Sequence, residues 1–105
     1  KSSIKRIFIP PHVTEISAYS FSLCHQIQQI DIPSNSELQI IETSAFLFSS
    51  IESIYIPPHI TKIFEDAFQE CKKLHIIEFD PKSKIELDDI NHIFQRCTII
   101  MIPVK

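Results

Sequence analysis

The chain has 105 residues, a hydrophobic fraction of 44% and a net charge of -3 at pH 7. This length predicts a single domain over residues 1–105, and the apolar content excludes wholesale disorder. The charge leaves no basic excess for a nucleic-acid partner, no apolar run reaches the roughly 18 residues of a membrane span, and the lack of glycine excludes a P-loop or a dinucleotide fingerprint. The chain starts at Lys1 without an initiating Met or an apolar leader, so we expect it to be a segment of a longer protein.

Four rows and a fragment repeat one pattern along the chain. Each row's first apolar motif ends at a proline, or at Asp80 in row four, and these positions are spaced by 23, 24, 23 and 23 residues. A unit of this size cannot bury its own apolar face, so a steady period predicts a stack of rows, a solenoid. The rows, numbered one to five, are Ile4–Gln26, Ile27–Ser50, Ile51–Lys73, Leu74–Arg96 and Cys97–Lys105.

Each row opens with (I/L)xxIxI, in which the last three residues alternate as in a half-buried strand. The proline that follows ends the strand because it cannot donate to a ladder. In-register stacking then predicts one parallel sheet of five strands on the concave side. We place these strands near residues 6–9, 29–32, 53–56, 76–79 and 99–102.

After a polar turn, each row carries a second apolar pair and then a compact segment around a phenylalanine. We expect second strands or extended segments near 13–16, 38–41 and 60–63, and short helical turns around Phe21, Phe46, Phe68 and Phe94. The predicted core is Ile7, Ile9, Ile16, Phe21, Ile30, Ile32, Ile41, Phe46, Ile54, Ile56, Ile63, Phe68, Ile77, Phe79 and Phe94.

Row three, IESIYIPPHITKIFEDAFQECKK, resembles the BspA-like leucine-rich repeats, whose unit reads roughly LxxIxIPxxVxxIGxxAFxxCxx. Rows one and two are similar, and row four is looser. The resemblance implies an α/β, right-handed leucine-rich-repeat solenoid of about 4.5 repeats of 23–24 residues. The family's glycine is Ser17, Glu42 or Phe64 here, and we expect negative φ at these positions.

The same resemblance implies interaction and not catalysis. BspA-like proteins occur on the surfaces of anaerobic bacteria and protist parasites, and are associated with adhesion to host cells, matrix proteins and other microbes. It therefore implies a secreted or cell-surface location and a protein or glycan partner. The alternative is a structural spacer that displays a neighbouring domain. The terminal rows lack polar caps, so self-association through the open solenoid ends is also expected unless the parent protein is longer.

The candidate binding site is the concave face. Along each opening strand, the residues between the buried ones are expected to point to solvent on this face. Exposed aromatic residues on a rigid sheet are common binding anchors, although solenoids also tolerate scattered exposed apolar residues. One predicted column contains Arg6, Gln29, Ser53, Ile76 and Ile99, and the next contains Phe8, Asp31, Tyr55, Glu78 and Met101.

Three cysteines, Cys24, Cys71 and Cys97, share one row position, which Ser49 fills in row two. This pattern predicts a packed column of small side chains, and a Cys71–Cys97 bridge is the alternative. No motif sets a His and an acid beside a cysteine, and without glycine no GxSxG elbow exists, so we expect no enzyme and no cofactor.

The other candidate ligands do not form a metal site. His12 and His59 lie two rows apart, about 10 Å by the strand spacing, which is too far for one metal. The acidic stretch Glu86, Asp88 and Asp89 lacks the EF-hand spacing and is interpreted as a solvated turn.

Overall fold

A computed structural model describes residues 5–85, 93–94 and 98–101. Two kinds of short strand alternate along the chain, and every strand pair is parallel. The longer strands open the rows and the two-residue strands follow the polar turns, close to the predicted places. The strands are β1 (Lys5–Phe8), β2 (Glu15–Ile16), β3 (Ile27–Asp31), β4 (Ile40–Ile41), β5 (Ser53–Ile56), β6 (Lys62–Ile63), β7 (Ile76–Phe79) and β8 (Thr98–Met101).

The strands hydrogen-bond into three sheets, of which β2–β4–β6 is continuous through rows one to three. The opening strands divide into β1–β3 and β5–β7–β8, so the prediction of one five-stranded sheet is wrong. At the break, Glu52 N still donates to Gln28 O over 3.2 Å. The chain advances 8 residues from Phe46 to Ile54, but 9 over the matching intervals 21–30 and 68–77. The shorter connection leaves β5 less backbone with which to reach the register of β3.

The register at the last strand differs by one residue from the predicted one. The ladder pairs Ile100 with Glu78, and Met101 with Phe79. Paired residues are offset by 22 between β7 and β8, but by 23 between β5 and β7. Met101 was predicted to lie level with Glu78 on the concave face, and it instead shares its register position with the buried Phe79.

The apolar core follows the predicted positions closely. Of the predicted core residues, all are buried except Ile7 and Phe21, which are half-buried in row one. The stack also buries the first apolar residue of rows two, three and four, which are Ile27, Ile51 and Leu74. The rings of the Phe column lie 5.3, 5.1 and 5.1 Å apart between centroids, in the order Phe21, Phe46, Phe68 and Phe94.

The segments around the first three phenylalanines, 18–23, 43–48 and 65–70, are turns, so helical turns are not confirmed there. We call them the turn segments. Within the turn segments, successive backbone N–H groups donate alternately to an acceptor in the next row and to a carbonyl three residues back. In row one, the N–H groups of Tyr19, Phe21 and Leu23 donate to row two, whereas Ser20, Ser22 and Cys24 donate three residues back. A helix would keep these bonds within the segment. The turn segments instead form a third inter-row ladder.

This alternation requires left-handed backbone at several residues that are not glycine. Positive φ occurs at Tyr19, Leu23, Ser44, Phe48 and Glu70, with values of 53–63°. For bulky residues this conformation costs about 1–2 kcal/mol each. Among the described residues, the family's glycine position does not have positive φ, which confirms the expectation for Ser17, Glu42 and Phe64.

Candidate functional site

The predicted site residues of rows one to four lie on the outward face of the opening strands. We call this surface the strand face, and it comprises Arg6, Phe8, Gln29, Asp31, Ser53, Tyr55, Ile76 and Glu78. Along β3, β5 and β7 these residues alternate with buried ones, and in β1 Arg6 and Phe8 lie on either side of the half-buried Ile7. Phe8 has the largest exposed apolar area of the set, at 59% exposure. The sheet break divides the face into a β1–β3 part and a β5–β7 part.

An ion pair lies beside Phe8 on the β1–β3 part. Arg6 donates from Nε to Asp31 Oδ2 at 3.1 Å and from a terminal nitrogen to Oδ1 at 3.2 Å. The ladder pairs Phe8 with Asp31 across the strands. An exposed pair of this kind adds little stability, but its bidentate geometry holds the guanidinium in a fixed direction. This part of the face therefore presents an aromatic ring next to an oriented charge pair.

Tyr55, on the other part of the face, is tied to the turn after β7. Its hydroxyl donates to Asp80 Oδ2 at 2.6 Å, and Asp80 Oδ1 accepts from Lys82 N at 2.8 Å. Burial and the Asp80 carboxylate raise the pKa of Tyr55 far above its usual value, and the bond from Tyr55 lowers the pKa of Asp80. Asp80 occupies the row position that a proline holds in the other rows. Its side chain accepts the hydrogen bond from Lys82 N within the turn that follows β7. Tyr55 is therefore a half-buried structural residue as well as a surface residue.

The Tyr55–Asp80 bond predicts an unusual tyrosine titration. The chain has two tyrosines, so Tyr19→Phe leaves Tyr55 as the single reporter. We expect no phenolate absorbance near the ordinary pKa of about 10, because the folded state holds the proton. The stability from this bond is present below the ordinary pKa and is lost as the pH rises through the raised one. Adding Asp80→Ala should bring ionisation toward lower pH. Ionisation at the same pH in both proteins would contradict the assignment.

The cysteine position is a packed column in the described rows. Cys24 and Cys71 are half-buried free thiols, and Ser49 lies between them. Ser49 Oγ is 3.4 Å from Cys71 Sγ, which donates to Phe46 O at 2.8 Å. Burial raises the pKa of the Cys71 thiol, which keeps it protonated and a poor nucleophile. The alternative bridge involves Cys97, which lies outside the described residues.

The other candidate groups stay apart or fall outside the described part of the chain. Side chains of His12 and His59 are exposed. Over residues 5–85, 93–94 and 98–101, no three His, Cys, Asp or Glu side chains are grouped to hold a metal ion. The acidic stretch with Glu86, Asp88 and Asp89 is not described. The same described ranges contain no helix with the length and hydropathy needed to cross a membrane.

Sequence reasoning missed a polar cluster between rows two and three. Asp66 accepts from Thr43 Oγ1 at 2.7 and 2.8 Å, from Ser44 Oγ at 3.2 Å and from Ser44 N at 3.3 Å. These bonds lower the pKa of Asp66, with the Thr43 hydroxyl as the main cause. The Asp66 carboxylate accepts the hydrogen bond from Ser44 N, at a point of the inter-row ladder where the other N–H groups donate to main-chain carbonyls. The only sequence signal is a Thr-Ser pair in row two and an Asp in row three, just before the Ala-Phe of each row.

Comparison with known proteins agrees with this repeat geometry. A leucine-rich cell surface protein from Faecalibacterium prausnitzii A2-165 has a similar solved structure, with 30% sequence identity and a TM-score of 0.67. The match covers 75% of this chain and 20% of that chain, so the chain spans about a fifth of that protein's length. No curated protein sequence matches the chain.

A family model for the BspA-type leucine-rich repeat region matches residues 1–105 in 6 copies. The match extends over the whole chain, including the looser row four and the fragment that forms row five. Together with the parallel strands and the stacked rows, it shows that the chain belongs to the BspA-type leucine-rich repeat family.

Proposed function

We propose that the chain is a non-catalytic protein-interaction module of a secreted or cell-surface protein, and that it contributes to adhesion by binding a protein or glycan through the strand face. The observation that carries the proposal is the exposed Phe8 ring beside the oriented Arg6–Asp31 pair. Neither feature is needed for the core. An aromatic anchor next to a polar pair on a rigid sheet is a common arrangement at binding surfaces.

The structure also determines which variant tests this proposal cleanly. Tyr55→Ala would break the bond to Asp80 and disturb the turn, so a loss of binding could reflect altered folding. Phe8 and Glu78 are exposed, and their side chains can be shortened with little effect on the core. The double variant Phe8→Ala/Glu78→Ala changes both parts of the strand face.

The test is binding to an array of purified matrix proteins and glycans, with wild type and Phe8→Ala/Glu78→Ala compared after circular dichroism confirms both folds. We expect a partner that binds wild type to lose about tenfold in affinity with the variant, which corresponds to about 1.4 kcal/mol. Equal binding of both proteins would move the site away from the strand face. If neither protein binds any member of the array, the adhesion role loses its support.

A second role, as a stacking or self-associating spacer, is favoured by the partly exposed apolar side chains of row one. Ile7 and Phe21 are half-buried there, although the corresponding residues in row two, Ile30 and Phe46, are buried. Another unit stacked on row one would cover them. Sedimentation velocity over a range of concentrations distinguishes the two roles, because a spacer that self-associates shows a concentration-dependent mass.

A further inference from the structure

A compact group of side chains lies on the β1–β3 part of the strand face. The ladder sets Arg6 opposite Gln29 and Phe8 opposite Asp31. Neighbouring strands lie about 4.8 Å apart, and alternate residues of one strand are about 6.6 Å apart. These residues therefore stand at the corners of a small rectangle, which we call the β1–β3 quartet. Its size is close to that of one hexose ring.

The quartet combines an apolar ring with polar groups that have bonding capacity left. Phe8 is 59% exposed. Arg6 uses its Nε–H and one terminal N–H on Asp31, and its other N–H groups have no acceptor among the residues that the structure describes. The side-chain amide of Gln29 is half-buried and forms no hydrogen bond within the described part of the chain, although an amide can both donate and accept. A matching ligand has one apolar side and a rim of donors and acceptors.

The charges of the quartet cancel each other. The Arg6 guanidinium lies 3.1 Å from the Asp31 carboxylate. An anionic ligand would compete with Asp31 for Arg6, and a cationic ligand would compete with Arg6 for Asp31. The remaining charged residue of the two strands, Lys5, lies outside the quartet, at the start of β1 and opposite the buried Ile27. This arrangement favours an uncharged ligand.

The extent of the quartet favours a small ligand over a folded protein. A stable protein–protein interface uses about 20–30 residues on each side, far more than the quartet contains. The next opening strand, β5, is not hydrogen-bonded to β3, and the hydroxyl of its Tyr55 is already bonded to Asp80. A sugar ring needs only a platform of its own size. It has C–H groups on its flat side and hydroxyls, which both donate and accept, around its rim.

We propose that the β1–β3 quartet binds one uncharged sugar residue of a glycan. The flat side of the sugar stacks on Phe8, because the face of an aromatic ring is negative and attracts C–H groups. Hydroxyls on the rim bond to Gln29, to the unused N–H groups of Arg6 and to the oxygens of Asp31. The Arg6–Asp31 pair orients both side chains before the sugar binds, which reduces the ordering cost. This sugar site rests on the strand-face function proposed above and assigns it a ligand class.

The probes are neutral tetrasaccharides of glucose, galactose, mannose or N-acetylglucosamine, with a sulfated tetrasaccharide as the charged comparison. Binding is followed by amide chemical shifts of the isotopically labelled chain. We expect at least one neutral probe to shift the amides of β1 and β3, with an affinity that changes little with salt, because no net charge is neutralised. The sugar site is overturned if no neutral probe causes these shifts, or if the sulfated probe alone does.

The deciding variants are Phe8→Ala, which removes the stacking ring, and Gln29→Leu, which removes the amide at similar size. We expect the affinity for the bound tetrasaccharide to fall about tenfold and about threefold, respectively. Tyr19→Asn is the matched control, because Tyr19 is 62% exposed in a turn segment and asparagine tolerates its φ of 63°. This control should bind like wild type. An affinity of Phe8→Ala equal to that of wild type or of Tyr19→Asn would refute stacking on Phe8, and with it the sugar site.

The array of matrix proteins and glycans separates the sugar site from the broader strand-face function. Consider a matrix protein that binds wild type but not Phe8→Ala/Glu78→Ala, and that no neutral tetrasaccharide displaces. Such a partner supports the strand face as a protein site and overturns its assignment to a sugar. If neither the array nor the tetrasaccharides bind, both proposals fail together.

Discussion

Replacing Phe46 with alanine is expected to lower the free energy of unfolding by about 3–5 kcal/mol. The ring is fully buried and stacks against Phe21 at 5.3 Å and Phe68 at 5.1 Å. Its removal leaves a cavity between two rows and takes two aromatic contacts with it. A domain of this size has about 5–15 kcal/mol of stability in total, so the variant should unfold at much lower urea concentration.

The matched control for Phe46→Ala is Phe21→Ala. Phe21 belongs to the same column but is half-buried in row one, so its loss should cost clearly less. Urea unfolding followed by circular dichroism measures both variants on the same scale. If Phe21→Ala costs as much as Phe46→Ala, stability does not depend on burial in the middle of the stack.

The second large effect is expected for Asp66→Ala. Three donor groups, Thr43 Oγ1, Ser44 Oγ and Ser44 N, lose their charged acceptor. Hydrogen bonds to charged groups contribute about 1.5–3 kcal/mol, and partial exposure reduces this, so we expect a loss of about 1–2 kcal/mol. The loss should appear in the same urea experiment, at neutral pH.

The pH dependence of the free energy of unfolding separates the effect of the Asp66 charge from the effect of its side-chain shape. The lowered pKa of Asp66 means that its contribution to stability is present above the ordinary value of about 3.9 and is lost as the pH falls through the lowered pKa. Asp66→Asn keeps an acceptor oxygen but not the charge, so its stability should vary less with acid than that of wild type. Glu37→Ala, at an exposed position, is the control for loss of a carboxylate and should leave the stability at neutral pH close to that of wild type. Identical acid profiles for wild type and Asp66→Asn would refute the role of the charge.

The repeat made much of this architecture predictable from the sequence. The alternation in Ile54-Tyr55-Ile56, followed by Pro57, is enough to place a strand, its buried side and its end. The Phe column followed in the same way, because in rows one to three a phenylalanine recurs 5 residues after the second apolar pair. The family assignment also followed from row three, in which nearly every defining position is occupied.

The period concealed the features that depend on how residues are distributed within a row. Row two is one residue longer than row one, which suggests a single insertion. In the structure, Pro33 and the buried Ile41 are two residues farther apart than Pro10 and Ile16, whereas the return to β5 is one residue shorter. The period is too coarse to show this compensation, so the break in the sheet could not be predicted.

The turn segments and the Asp66 cluster were missed for a different reason. Alternating inter-row and local hydrogen bonds require left-handed backbone, and a glycine in the sequence is the usual sign of that conformation. This chain has none, and Leu23 and Phe48 give no local signal for that conformation. The carboxylate of Asp66 acts as a substitute for a main-chain acceptor, and such a role depends on a neighbouring row and not on the local sequence.

The break between β3 and β5 has a mechanical consequence. A pull along the stack is carried at most row junctions by ladders of the opening strands. This junction has no such ladder, and the pull passes instead through the β4–β6 pair, the turn-segment bonds from Phe46 N to Ala67 O and from Phe48 N to Gln69 O, the ring contact of Phe46 with Phe68 and the bonds to Asp66. Side-chain contacts thus carry a larger share of the tension there than where the opening strands are paired. If the chain connects two surfaces, the junction of rows two and three is the place where it yields first, and it lets the molecule lengthen before the rest of the stack comes apart.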